Sequence, residues 1–249
     1  LLFETDVVQG VTNTGWTTVT LGNSYNSMVV VASPNYSNTS PPLLARVRNA
    51  AGSSFEVRVD RADGSIAPIG GVDVYYTVVE EGVYTQAQHG VQMEAVKFLS
   101  TVTDENDSWV GESRSYSNTY SNPVVVGQVM SYNDTDYSVF WARGSSRMEP
   151  PSNSVLHVGK HVAEDPDTTR ADETIGYIVI EAGSGSIGSV NYVAALGADS
   201  IAGIDDLPPY SYSLSGLSSV STAIVSQAGM DGVGGGWAVL YGPDPITPT

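Results

Sequence analysis

The chain has 249 residues, 10 basic and 27 acidic side chains for a formal net charge of −17, and no cysteine. Disulfides, thiol catalysis and cysteine-based zinc sites are therefore excluded. A surface this acidic, with no Lys/Arg cluster, repels phosphate backbones and anionic membranes, and no apolar run approaches the ~18 residues of a membrane span.

Tyr outnumbers Phe by 14 to 4, and only 15% of residues are charged. Ser, Thr, Gly and Val fill their place, a mixture suited to strands and tight turns. The start at Leu1, without a signal peptide, leads us to expect a mature or excised piece of a longer exported protein.

Taken in chain order, Trp16 precedes a Ser/Asn/Tyr-rich turn and the apolar run Met28–Ala32. Phe55, Val57 and Val59 then alternate with Glu56, Arg58 and Asp60, the period-two pattern of a half-buried strand. Further short runs follow at Val72–Val79, Pro123–Val129, Asp136–Trp141, Val155–Val162, Thr174–Ile180 and Ala223–Val225. Gly, Asn, Asp, Ser or Pro clusters separate them. No segment sustains a 3.6-residue period, so the fold class is all-β, of sandwiches or barrels.

The chain also repeats itself. Gly71-Val-Asp-Val-Tyr-Tyr-Thr-Val-Val-Glu-Glu-Gly82 matches Asp172-Glu-Thr-Ile-Gly-Tyr-Ile-Val-Ile-Glu-Ala-Gly183, so that Tyr76, Val78, Glu80 and Gly82 align with Tyr177, Val179, Glu181 and Gly183. Trp16 and Trp109 each precede such a turn and a Val triplet, Val29–Val31 and Val124–Val126. A third copy begins at Ala223-Ile-Val-Ser-Gln-Ala, which parallels Val124-Val-Val-Gly-Gln-Val, and continues through Gly236–Gly242, which parallels Tyr137–Gly144. The expected organisation is tandem antiparallel β-sandwich modules at 1–90 and 91–186, with an incomplete third at 187–249. A strand without partners leaves backbone groups unpaired, so a neighbour is expected to complete the third.

Asn122-Pro-Val-Val-Val-Gly and Ile175-Gly-Tyr-Ile-Val-Ile-Glu resemble the H-type lectin repeats of large secreted bacterial proteins. Gly111-Glu-Ser-Arg-Ser-Tyr and Glu164-Asp-Pro-Asp-Thr-Thr-Arg-Ala-Asp-Glu-Thr are similar to long surface repeats of planctomycetes and marine bacteria. The lectin resemblance implies six-stranded antiparallel sandwiches that assemble as trimers and bind galactose-type sugars between subunits. It assigns no sugar-contacting residue position by position.

The motifs with chemical meaning are few. Gly183-Ser-Gly-Ser-Ile-Gly188 fits a dinucleotide pattern, but a strand rather than a helix follows it, so it is expected to be a hairpin. His157 and His161 lack the Glu that zincins place after the first His. No nucleophile elbow or triad context occurs, and we expect no enzyme. Asp104–Asp107, Asp134–Asp136, Asp165–Asp167 and Asp205–Asp206 are short acidic turns. Calcium at Asp165 and Asp167 is the favoured metal alternative to plain Asx-turn chemistry, and no other cofactor is expected.

Aromatic rings with polar neighbours suit sugar binding, so the candidate sugar site is the loop Tyr132, Asn133, Asp134 and Asp136 together with Trp141 and Arg143. Sequons at Asn35, Asn38, Asn106 and Asn133 fit surface loops of an exported protein. The resulting expectation is a secreted or cell-surface, non-catalytic repeat protein that binds glycans or cell-surface polysaccharide. The alternative is a structural subunit of an extracellular filament or surface layer, a homo-oligomer or a set of neighbouring repeats joined by strand exchange.

Overall fold

The computed structural model describes residues 1–36, 41–203, 206, 208–242 and 244–246; Asn38 and Asp205 lie outside them. The fold is nearly all β. Its first half holds β1 (Phe3–Val11), β2 (Thr17–Tyr25), β3 (Met28–Tyr36), β4 (Leu43–Arg61), β5 (Val72–Glu80) and β6 (Gly82–Tyr84). One short helix, α1 (Gln86–His89), leads to β7 (Met93–Ser100), β8 (Thr103–Asp104), β9 (Glu112–Arg114), β10 (Pro123–Val129), β11 (Val139–Arg143), β12 (Leu156–His161) and β13 (Glu173–Glu181). A hairpin of β14 (Gly183–Ile187) and β15 (Val190–Ala194) and the short β16 (Leu240–Tyr241) end the series.

Two sheets carry the repeat. One has the order β1-β5-β3-β16 and the other β10-β13-β7-β6. Their registers coincide: Val29 faces Val79 where Val124 faces Ile180, and Val31 faces Thr77 where Val126 faces Ile178. The match extends to the third strand, because Glu4 faces Val78 and Glu94 faces Val179. The likeness of Phe3-Glu4 to Met93-Glu94 is too short to stand out in sequence and emerges only from this pairing.

β3 and β13 are buried on both faces, so they read as continuous apolar runs rather than alternations. Met28, Val29, Val30 and Val31 are completely inaccessible, and each such side chain contributes about 1.5–3 kcal/mol by leaving water. In β4 the alternation holds: Phe55, Val57 and Val59 face the core, while Glu56 and Arg58 lie half-buried on the other side. At Gly176 a Cβ would run into the Met130 sulfur and crowd Val29, so Met130 packs over that position.

The Gly183–Gly188 motif forms β14 and the turn into β15, a hairpin. Residues 223–230 cross the junction of the two halves. The Ala32 N–H donates to Gln128 Oε1 (3.3 Å), the Gly127 N–H to Ser226 Oγ (3.0 Å), and the Val225 N–H to Ser33 Oγ (2.9 Å). β3, β10 and residues 223–228, the three segments aligned by sequence, thus touch pairwise as the sides of a triangle. Residues 240–241 then add in parallel to the end of β3, at Asn35 and Tyr36.

Candidate functional site

The loop expected to bind sugar does structural work instead. Tyr132 stands edge-on to Trp16, with ring centroids 5.0 Å apart. The Arg46 guanidinium lies 4.5 Å from the Tyr132 ring centroid, and that of Arg48 lies 4.1 Å from Trp16. Arg46 is almost wholly buried; it pairs with Asp60 (2.9 Å) and donates to the Asp134 (2.9 Å) and Thr135 (3.3 Å) carbonyls. An arginine of the first half therefore holds a loop of the second. The Glu173 carboxylate anchors the same loop through the Asn133 and Asp134 N–H groups (3.0 and 2.9 Å). Asp134 accepts from the Asp136 and Ala171 N–H groups. Only Asn133, Thr135 and Asp136 remain exposed.

Trp141 is corrected most clearly. It is completely buried, so it offers no ring face to a sugar. Its Nε1–H donates to Asp104 Oδ2 (2.8 Å), and Asp104 also accepts from the Val110 (2.7 Å) and Gly111 (3.0 Å) N–H groups. Burial holds the Asp104 carboxyl above its ordinary pKa despite these donors. Trp109 packs edge-on against both Trp141 (5.7 Å) and His161 (5.4 Å). Arg143 is spent on the Gly144 and Val110 carbonyls.

Asp165 accepts from the Asp167 N–H (3.0 Å) and pairs with Arg170 (2.8 Å), and Asp167 accepts from the Thr169 N–H (3.0 Å). These are Asx turns, and the Arg170 guanidinium beside Asp165 opposes a divalent cation there. Among the described residues no three His, Asp or Glu side chains gather as a metal site. His161 is wholly buried and its Nδ1 accepts the Ala163 N–H (3.1 Å); burial lowers its pKa to about 3 against a smaller opposing effect of the Gly236 backbone. His157, four positions away, is half-buried and beside the Gly144 carbonyl.

An open concavity lies elsewhere. Pairing of Arg114 with Leu156 brings the stretches 113–119 and 153–156 together around a cleft of about 430 Å³. Arg114, Tyr116, Asn118, Asn153 and several Ser and Thr hydroxyls line it. The Arg114 guanidinium lies 4.0 Å from the Phe98 ring centroid and forms no ion pair among the described residues. Tyr116 is fixed by donating its hydroxyl to the Ser152 carbonyl (2.7 Å). Behind the cleft, Glu94 is wholly buried and accepts from the Ser117 and Asn118 N–H groups, which sets the shape of that wall. The sequence signal for this site is a pair of polar stretches 34 or more residues apart, which the β9–β12 ladder joins.

No family model matches the chain, and no solved structure matches it. Halomucin of Haloquadratum walsbyi is 28% identical over 211 residues, covering 78% of this chain. The chain spans only 2% of the length of Halomucin.

Proposed function

We propose that the chain is a non-catalytic, carbohydrate-binding segment of a long, secreted surface protein, and that the 113–119/153–156 cleft is its sugar site. The cleft carries this reading. It is open and polar, lined by hydroxyls, amides and one guanidinium without a carboxylate partner among the described residues, and it contains a tyrosine ring held in place by its own hydroxyl. Those are donors and acceptors for sugar hydroxyls beside an apolar ring face. The reading as sandwich modules of the H-type lectin kind is part of this proposal, supported by the two sheets of matching order and register. The likeness to Halomucin, whose name is that of a mucin, supports a surface location.

A glycan array tests it, with calcium and again with chelator. Binding to a sugar family that Arg114→Ala abolishes supports the cleft. Binding that Arg114→Ala and Tyr116→Ala leave intact moves the site elsewhere, and no binding to any glycan rejects the reading.

The alternative is a structural repeat segment, and a different observation favours it. The two halves interlock through buried Arg46 and through the triangle of central segments. Such a junction fixes the orientation of successive repeats, as a stiff surface polymer needs. Small-angle scattering tests this reading: a rigid particle is expected, and independent motion of the halves rejects it.

A further inference from the structure

Residues 223–228 align with β3 and β10 and take the third side of the triangle, yet beyond a single parallel bridge of Ala228 to Ala142 they belong to no strand ladder. All six are half-buried. Among the described residues, their backbone bonds are the Val225 N–H and C=O with Ser33 Oγ and the Gln227 C=O with the Ala142 N–H. Among the described residues the N–H groups of Ala223, Ile224, Ser226, Gln227 and Ala228 have no protein partner, nor do the carbonyls of Ala223, Ile224, Ser226 and Ala228. Backbone groups left unpaired along an extended segment are a template for an added strand.

The first two copies show what meets that demand. β3 is paired along its length by β5, and β10 by β13. Each partner ends in a glutamate that clamps two consecutive N–H groups just before the central strand: Glu80 on Asn26 and Ser27, Glu181 on Ser121 and Asn122. In the third copy the corresponding N–H groups are those of Val220 and Ser221, which also have no partner among the described residues.

We propose that residues 223–228 are the receiving edge for one antiparallel strand of the β5/β13 type, supplied by a further repeat of a longer polypeptide. This inference rests on the structural reading above and is independent of sugar binding. The occupant is an extended segment with apolar residues at both faces and a terminal glutamate, because those features fill the same place twice already. A second copy of this chain is a poor donor. Its β5 and β13 are each paired on both sides, so giving up either would dismantle a sheet. A longer polypeptide fits the one relative described above, of which this chain spans 2%.

A synthetic peptide with the sequence of residues 172–183, added to the intact chain, tests the proposal. Saturable one-to-one binding is expected, with amide exchange at residues 224–228 slowed by roughly tenfold or more and exchange elsewhere little changed. A peptide carrying Glu181→Ala is expected to bind at least about tenfold more weakly, and a scrambled peptide not at all. Should the free peptide aggregate, the same sequence fused after Thr249 through a glycine–serine linker is expected to raise Tm by about 5 °C or more. Failure of both the peptide and the fusion to protect residues 224–228 would overturn the proposal. So would protection of those amides in the chain alone, whether constant or rising with protein concentration; the second result would assign the edge to another copy. None of these outcomes depends on the glycan array, so the two readings fail separately.

Discussion

Glu80 and Glu181, 101 residues apart, hold the same clamp: each carboxylate accepts two consecutive backbone N–H groups of the turn that enters a central strand, at 2.8–3.0 Å for Glu80 and 2.8 Å twice for Glu181. Glu4 and Glu94 grip the chain four residues earlier, through Gly22 and Asn23 and through Ser117 and Asn118. The approach to each strand is thus fixed by four charge-assisted hydrogen bonds from two strands, which sets the register of the strand that follows. Glu181→Ala is expected to cost about 1–3 kcal/mol and to lower Tm by several degrees. Glu181→Gln should recover only part, because its amide can supply one acceptor oxygen. Thermal melts of the three proteins check this, and equal melting temperatures would remove the clamp from the account.

The repeat was legible because β3 is buried on both faces and β10, where Val124 and Val126 are half-buried, keeps the same Val triplet, so that Val29–Val31 and Val124–Val126 stand out as uninterrupted runs. The glutamates at their ends were visible as a pattern, but not as clamps, because the N–H groups they hold lie 53 to 60 residues away. Trp141 was placed wrongly for a related reason. Beside Arg143 and after a polar loop, it has the local context of a surface ring, while the partner that explains its burial, Asp104, is 37 residues distant. Tyr132 misled in the same way, since Trp16 and Arg46 come from the other half of the chain. Local composition describes exposure well only where the strand partner is local too.

Arg46 joins the halves, so its replacement should act on their junction rather than on either core. Arg46→Met removes a buried guanidinium and leaves Asp60 with Arg58 alone, along with two carbonyls without a donor. A loss of about 3 kcal/mol is expected. Limited proteolysis should then cut first within the 132–136 loop. Cleavage at another loop, with stability unchanged, would show that Arg46 is not what holds the junction.

Trp141 and Arg114 separate the two sugar-site assignments. Trp141→Phe removes a buried N–H donor and leaves Asp104 Oδ2 with the Gly111 N–H alone, so it should destabilise the chain by about 1–3 kcal/mol while sparing ligand binding. Arg114→Ala is expected to do the reverse, leaving Tm within a few degrees and abolishing binding. Titration calorimetry with the best glycan from the array decides the matter. Loss of binding in folded Trp141→Phe, with Arg114→Ala unaffected, would return the site to the 132–143 region.

Salt should stabilise this protein. A net charge of −17 on one chain repels itself, and raising ionic strength from 0.1 M to 1 M shortens the screening length from about 10 Å to about 3 Å. The melting temperature is expected to climb over that range in sodium chloride. A flat or falling curve would mean that the five ion pairs seen among the described residues outweigh the repulsion.

His161 gives the chain an acid-sensitive core. Burial lowers its pKa from an ordinary 6.5 to about 3, so the folded state keeps it neutral where the unfolded state accepts a proton. Its contribution to stability is therefore complete above pH 6.5 and is lost as pH falls toward 3, at about 1.4 kcal/mol per pH unit once the unfolded state is protonated. Half-buried His157 acts in the same direction, and Glu4, held below 4.5 by donors that outweigh its burial, adds its loss only at lower pH. Asp104 and Glu94 act oppositely, because burial raises their pKa values and acid favours the folded form. The difference between wild type and His161→Gln cancels these other groups. Denaturant titrations at pH 7 and pH 5 are expected to show wild type losing about 1–2 kcal/mol more than the variant over that interval, although the variant starts out less stable. Equal losses would mean that His161 reaches water and titrates normally in the folded chain, which the Trp109 packing and the Gly235–Gly236 cover do not allow.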